Sequence, residues 1–258
     1  MERAAAIGLG TLAITDHDTF RAHEAAALRG QELGVRLVRG VEISTRANRR
    51  GVHLLAYWFH SAPPAEFAAW LEAMLVHRLE RNRKLTARLR EMGLEIELEE
   101  AEAIGRTITG RVHIARVLVR KGYVQSISEA FDRYIGEAAP GFVEMEEPQT
   151  VEAVKMVRKH GGVPVLAHPV RLKMKSERHV EEFVKELAAA GLLGLEVMHS
   201  DQDEDLQRHY LAMAERYGLA PSGGSDYHGS LNPRISLGTG VGGNVRVPEE
   251  WLRRLESL

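Results

Sequence analysis

The sequence predicts an α/β protein built on a parallel sheet, with one helical block inserted into it. Three observations carry that prediction. Short apolar runs alternate with helical patterns at both ends of the chain, and a glycine stops most of the helices. The stretch from about residue 63 to residue 148 lacks strand signals. Several apolar runs end in His, Asp or Glu, groups that are costly to bury unless something pairs with them.

The elements follow in order. Glu2 to Gly8 reads as the last turns of a helix, with no Ser, Thr, Asp or Asn to cap its start at Met1. An α/β chain rarely opens halfway through a helix, so a preceding strand and half-helix are expected to be missing from this sequence. A misplaced start or trimming is favoured over natural loss. Thr11 to Ile14 reads as a buried strand that ends in Asp16-His17-Asp18, before a helix over Phe20 to Leu33 stopped by Gly34. Val35 to Val38 is the next strand, and Gly40 to Ser44 continues as a strand with Glu42 among apolar neighbours. Asn48-Arg49-Arg50-Gly51 is a turn, and Val52 to Tyr57 is an apolar run carrying His53. Glu42 and His53 therefore sit on adjacent strands of a hairpin, where side chains can face each other.

Pro63-Pro64 marks a boundary. A long helix follows from Ala65 to about Met92, its second half strongly basic from Arg78 to Arg90. The basic run is read as a solvated face ahead of an RNA track. An acidic stretch covers Glu95 to Glu102, then Thr109 to Arg116 leads into a short helix ending at Gly122, and Ser128 to Ile135 is another. The sheet-forming parts are thus 1–62 and 149–258, and the helical insertion is 63–148. Alternation then resumes. Helices are expected over Thr150 to His160, Glu177 to Ala190, Asp203 to Tyr217 and Pro248 to Leu255. The strands between them end at His168-Pro169, at His199-Ser200 and in Gly223-Gly224-Ser225-Asp226-Tyr227-His228-Gly229.

Such alternation suits a barrel or an open sheet, and in both the ligand chemistry collects at the carboxyl ends of the strands. Five strand segments converge there on His, Asp and Glu, where about one or two would do so by chance. The set His17, Glu42, His53, His168, His199, Asp226 and His228 suits hard or borderline divalent metals. Singly, His17 could cap a turn, Glu42 could face solvent and Asp226-His228 could be ordinary turn residues. His23, His60, His77, His160, His179 and His209 have no partners in the pattern and are read as surface.

Composition sets the outer bounds. The chain has 258 residues, 44% of them hydrophobic, enough for one large or two small domains. A formal net charge of -2 gives no strong overall field to attract nucleic acid. The absence of cysteine excludes disulfides and thiolate zinc sites. No apolar run approaches membrane-spanning length and the first residues are not a secretion signal, so a cytoplasmic protein is expected.

These residues resemble a known family. Ile14-Thr15-Asp16-His17-Asp18-Thr19, Gly40-Val41-Glu42, the His53 strand, Ala167-His168-Pro169 and Gly224-Ser225-Asp226-Tyr227-His228 occur in the order found in PHP-domain (polymerase and histidinol phosphatase) proteins. Thr107-Ile108-Thr109-Gly110-Arg111-Val112-His113-Ile114-Ala115-Arg116 and Ala130-Phe131-Asp132-Arg133-Tyr134 resemble the helical insert of one branch. That branch includes nucleoside 3′,5′-bisphosphate phosphatase and the 5′-to-3′ exoribonuclease AM. The resemblance covers essentially the whole chain.

The resemblance implies that 1–62 and 149–258 form one discontinuous, distorted (β/α)7 barrel with up to three divalent metals, manganese first among zinc, iron and magnesium. It implies that Glu42, His53 and His168 hold one metal, that Glu42 bridges to a second also held by Asp226, and that His17 and His228 share a third. A metal-bound hydroxide is then expected to attack phosphorus, with Asp16, His17, Asp226 and His228 as the catalytic set. Phosphate binding is assigned to Arg111, His113, Arg171 and His199, arginine offering a planar fork to phosphate oxygens. For His199 a purely structural role is as well supported, and for Arg111 and His113 a helix-start role nearly so. The family opens with a strand carrying His-x-His and a nearby Asp, and this chain has no His-x-His. The barrel is accordingly expected to lack its first strand. The expected activity is a metal-dependent phosphoesterase acting on nucleoside 3′,5′-bisphosphates or the 5′ end of short RNA. The alternatives are an impaired remnant that binds nucleotide or RNA and a histidinol-phosphatase-like enzyme. No protein partner is inferred.

Overall fold

The structure is a computed structural model that describes residues 1–48, 50–105 and 108–258. Arg49 of the expected turn and Thr107 of the insert motif lie outside the described residues. The chain divides into two compact units, one formed by Met1–Ala68 with Pro148–Leu258 and the other by Ala69–Glu147.

The first unit carries a six-stranded sheet in the order β1 (Thr11–Ile14), β2 (Arg36–Ala47), β3 (Arg50–Trp58), β4 (Val163–Leu166), β5 (Gly194–Met198), β6 (Ala220–Gly223). Pairings are parallel except at β3, which runs antiparallel to both β2 and β4. That reversal has a consequence for function. The carboxyl ends of five strands lie at one end of the sheet, and β3 brings its amino-terminal half there, with His53 opposite Ser44. The sheet curls as a half-barrel, and Asp16 after β1 and His228 after β6 lie near enough to feel each other's charge.

β2 is a single strand of 12 residues rather than the two pieces the sequence suggests. Gly40 does not break it: the ladder runs on through its pairing with Tyr57, and the space a side chain would take there is already filled. A Cβ there would stand 2.8 Å from Thr15 Cγ2 and 2.9 Å from Tyr57 Cδ1. β1 is only half-buried, with Ala13 exposed, where a buried strand was expected. The reason is its place at the edge of the sheet, paired on one side by β2. Val38, Leu55, Tyr57, Val163, Val165 and Leu255 form a core against this sheet.

Helices α1 (Glu2–Ala6) and α2 (His23–Leu33) belong to this unit. α2 starts three residues later than the periodicity suggests, because Thr19 Oγ1 accepts the Arg21 N–H and holds a turn there. After α3 (Ala65–Glu91), the second unit contains α4 (Leu98–Gly105), α5 (Arg111–Arg120), α6 (Ile127–Ala130) and a π-helical turn over Phe131–Ile135. α4 lies in the acidic stretch Glu95 to Glu102, where the charge run hides the helical pattern. Glu99 and Glu100 in its first turn suit the positive end of a helix, and Ala101 is fully buried. Leu85, Leu89, Ile96, Ile114, Leu118 and Ile135 give this unit a core of its own. The basic run on α3 is not wholly a solvated face: Arg81, Asn82 and Thr86 are buried, while Arg83, Lys84, Arg88 and Arg90 are exposed.

The first unit resumes with α7 (Thr150–Lys159), α8 (Glu177–Ala189), α9 (Glu204–Arg216) and α10 (Glu249–Glu256). Two histidines read as surface lie inward here: His23 is buried, and only 6% of the His160 side chain is exposed. His23 sets Nε2 3.1 Å from the Ile14 carbonyl oxygen, under the Phe20 ring. The His160 ring packs on Phe67 and its Nδ1 donates to the Met156 carbonyl. No described helix is long and apolar enough to cross a membrane.

Candidate metal centre

The site is assembled at the carboxyl end of the sheet from β2 outward. The pairing of β1 with β2 extends beyond the strand as a bridge between His17 and Glu42. Glu42 N–H donates to the Asp16 carbonyl, and the Glu42 carbonyl accepts the Asp18 N–H. Asp18 is buried at φ 55 and its Oδ1 accepts the Ser44 N–H at 2.7 Å. His17 is thereby held beside Glu42.

Around the Glu42 carboxylate stand three imidazoles. His53 Nδ1 lies 2.6 Å and His168 Nε2 3.0 Å from Oε1, and His17 Nε2 lies 3.6 Å from Oε2. His53 Nδ1 and His168 Nε2 are themselves 3.2 Å apart. Only 8% of the Glu42 side chain is exposed. Burial on its own pushes the Glu42 carboxyl up, but the charge of His17 and His53 and hydrogen bonds from His168 and His53 hold it well below the usual carboxylate range. Burial lowers His53, and Glu42 more than compensates, so His53 is raised.

Donor atoms of His17, Glu42 and His53 lie within 4.8 Å of one another. The set is imidazole nitrogen with carboxylate oxygen, the chemistry that zinc, manganese and iron share. His168 Nδ1 is buried without a hydrogen-bond partner, and the groups that face the Glu42 carboxylate at ion-pair distance are the imidazoles of His17, His53 and His168. A divalent cation fits these residues.

The loop after β6 adds a second carboxylate. Asp226 sits at φ 51, with Oδ2 3.4 Å from His199 Nε2 and 2.7 Å from Arg171 Nη1. Burial raises the Asp226 carboxyl; the His199 hydrogen bond, His228 and Arg171 override it and leave it lowered. His199 is fully buried, and its Nδ1 accepts the Asp201 N–H at 3.0 Å, so its Nε2 bears the proton and faces Asp226. That places His199 behind Asp226. His228 Nδ1 donates to the Asp226 carbonyl at 2.8 Å, which leaves Nε2 as the bare nitrogen of the neutral ring. Arg171 Nε and Nη2 both bond to Asp201 Oδ2, at 2.8 and 2.7 Å. The imidazoles form a chain across the site: ring centroids are 4.8 Å apart for His17 and His53, 5.1 Å for His53 and His168, and 5.4 Å for His168 and His199. Asp16 has its carboxyl raised by burial, partly offset by His23 and His228.

Arg111 and His113 lie in the helical unit. The Arg111 guanidinium stacks over Phe131 and Phe142, at 5.6 and 5.5 Å from the ring centres, and His113 Nδ1 accepts the Gly110 N–H at the start of α5.

Two residues of the site escaped the sequence reading. Glu196 on β5 is buried, and its Oε2 accepts the His168 N–H at 2.6 Å. The available signal was an acid inside the apolar run Leu195-Glu196-Val197-Met198, the same signal that singled out Glu42. Asp201, which holds Arg171, follows His199-Ser200 and has no distinguishing pattern.

The chain is 33% identical over 235 residues to a 3′,5′-nucleoside bisphosphate phosphatase of Chromobacterium violaceum, a match covering 88% of this chain and 80% of that protein. It is 31% identical over 228 residues to a 5′-3′ exoribonuclease of Haemophilus influenzae, covering 88% of this chain and 82% of that protein. Its structure matches the crystal structure of a candidate metal-dependent phosphoesterase from Bifidobacterium adolescentis with a TM-score of 0.83 and 29% identity, covering 99% of this chain and 88% of the other. No family model matches the chain. Fold, histidine-carboxylate cluster and these likenesses together define a hydrolytic enzyme, a metal-dependent phosphoesterase that uses divalent metal ions. The chain belongs to the PHP-type phosphoesterase family of these relatives.

Proposed function

We propose that this enzyme hydrolyses the terminal phosphate ester of nucleoside 3′,5′-bisphosphates, or the 5′ end of short RNA, in the cytoplasm and with manganese. The observation that carries the reading is the convergence of His17, His53 and His168 on one buried carboxylate, with Asp226 and Arg171 beside them. Two relatives named for these two substrates support the choice.

Glu42, His53 and His168 are the proposed ligands of one cation, Glu42 and Asp226 of a second, and His17 with His228 of a third. Bound divalent metal supplies Lewis-acid stabilisation of charge on the phosphoryl group and activates water for attack. Arg171 presents a fork of N–H donors that suits two phosphate oxygens, and Asp201 fixes its orientation. The Nε2 atom of His228 is the nitrogen this ring would offer to a cation, because its Nδ1 proton is committed to the Asp226 carbonyl. His199 Nε2–H steadies the Asp226 carboxylate. Asp16, beside His228, completes the proposed catalytic set. Arg111 and His113 are proposed to contact phosphate on the sequence resemblance alone.

The test is release of inorganic phosphate from adenosine 3′,5′-bisphosphate, and of mononucleotides from a 5′-phosphorylated short RNA, with added Mn²⁺. Turnover of either supports the reading. No turnover of either with manganese, zinc, iron or magnesium overturns it.

A further inference from the structure

His168 is an awkward residue to place. It has φ 24, in the region that residues with a Cβ avoid, and it precedes Pro169, whose ring further restricts the backbone before it. Its carbonyl accepts the Arg171 N–H at 2.8 Å, closing the turn that follows. Its amide N–H points the other way, across to the neighbouring parallel strand. There it meets Glu196 Oε2 at 2.6 Å. Glu196 is 5% exposed and reaches that amide from β5, one residue past the last paired position, Leu166 with Leu195. The same backbone conformation carries the His168 ring to Glu42 at 3.0 Å and to His53 at 3.2 Å.

We propose that Glu196 is a positioning residue for the metal centre: by accepting the main-chain N–H of His168, it fixes the strained backbone that delivers the His168 imidazole to Glu42 and His53. The proposal rests on the reading that these three residues hold a divalent cation. Glu196 does not itself bind the metal; what matters is an oxygen acceptor at that distance, not its charge. Groups that orient a ligand in this way alter metal affinity by roughly 10- to 100-fold when removed.

Three variants separate acceptor from charge. Glu196→Gln keeps an oxygen at the same reach and loses the charge. Glu196→Asp keeps the charge and loses the reach. Glu196→Met keeps the volume and loses both. Mn²⁺ alone is titrated into each chelator-treated protein and heat is recorded, with thermal unfolding of the metal-free proteins alongside. The expected result is affinity within about threefold of wild type for Gln, and roughly 10- to 100-fold weaker for Asp and Met. Weak binding by Gln with wild-type binding by Asp overturns the proposal, because charge would then be what counts. Wild-type binding by Met or Asp overturns it as well. Should Met fail to fold, the Gln and Asp pair still decides. A wild-type protein that takes up no Mn²⁺ defeats the metal reading itself, an outcome distinct from any pattern among the variants.

Discussion

His53 Nδ1 stands 2.6 Å from Glu42 Oε1, on an inner pair of strands where neither side chain is directly opposite the other. The register pairs Glu42 with Leu55 and His53 with Ser44, so the two meet diagonally on one face. His168 reaches the same oxygen from β4's end. Removing one of the three should leave the other two without a complete ligand set.

His168→Ala is therefore expected to abolish metal-dependent turnover while the fold persists. Steady-state phosphate release and a thermal melt check the two halves. Wild-type turnover by the folded variant removes His168 from the site.

Arg171 is held by Asp201 and faces Asp226. If it binds substrate phosphate, Arg171→Ala loses a charge-assisted hydrogen bond of about 1.5–3 kcal/mol, which is roughly a 10- to 100-fold fall in kcat/KM. Arg171→Lys is expected to recover only part of it, because an ammonium cannot form the paired fork. Kinetics on adenosine 3′,5′-bisphosphate measure both, and an Arg171→Ala enzyme with unchanged kcat/KM contradicts the assignment.

Burial pushes the Glu196 carboxyl up to about 7, against the lowering effect of His168, from an ordinary value of 4.5. Its folded-state pKa is the raised one, so its contribution to stability is complete below about pH 4.5 and is lost as pH rises through about 7. Glu42 and Asp226 are lowered and run the opposite way, contributing above the ordinary carboxylate pKa and failing as pH falls through their folded values. His53 is raised and behaves like Glu196 in sign. Metal-free wild type should thus lose about 1–3 kcal/mol relative to Glu196→Gln between about pH 5 and pH 8. Urea unfolding of both proteins at the two pH values measures this, and a difference that stays constant with pH contradicts it.

Gly40→Ala tests the packing beneath the site. The added methyl meets Thr15 and Tyr57 well inside contact distance. Overpacking of this kind costs about 1–3 kcal/mol, read as a lower unfolding midpoint. A midpoint equal to wild type shows that β2 can shift there.

Much of the site could be read from the sequence because its residues end strands. His17, His168, Asp226 and His228 each follow an apolar run, and the parallel pairing gathers such ends. His53 was legible as an imidazole inside an apolar hairpin strand. Glu196 was not, because its partner is a main-chain amide, and a main-chain amide leaves no mark in a sequence. α4 was hidden by its charges, since three of its eight residues, Glu99, Glu100 and Glu102, are acids that extend the run from Glu95 and read as a solvated stretch. The burial of the His23 and His160 side chains depends on rings and carbonyls brought close only by the fold.

The most direct test of the account is calorimetric titration of Mn²⁺ into the chelator-treated protein, wild type against Glu42→Gln. The account predicts binding by wild type and an affinity at least tenfold lower in the variant, because the carboxylate shared by His17, His53 and His168 is gone. Equal affinity in the two proteins would contradict it.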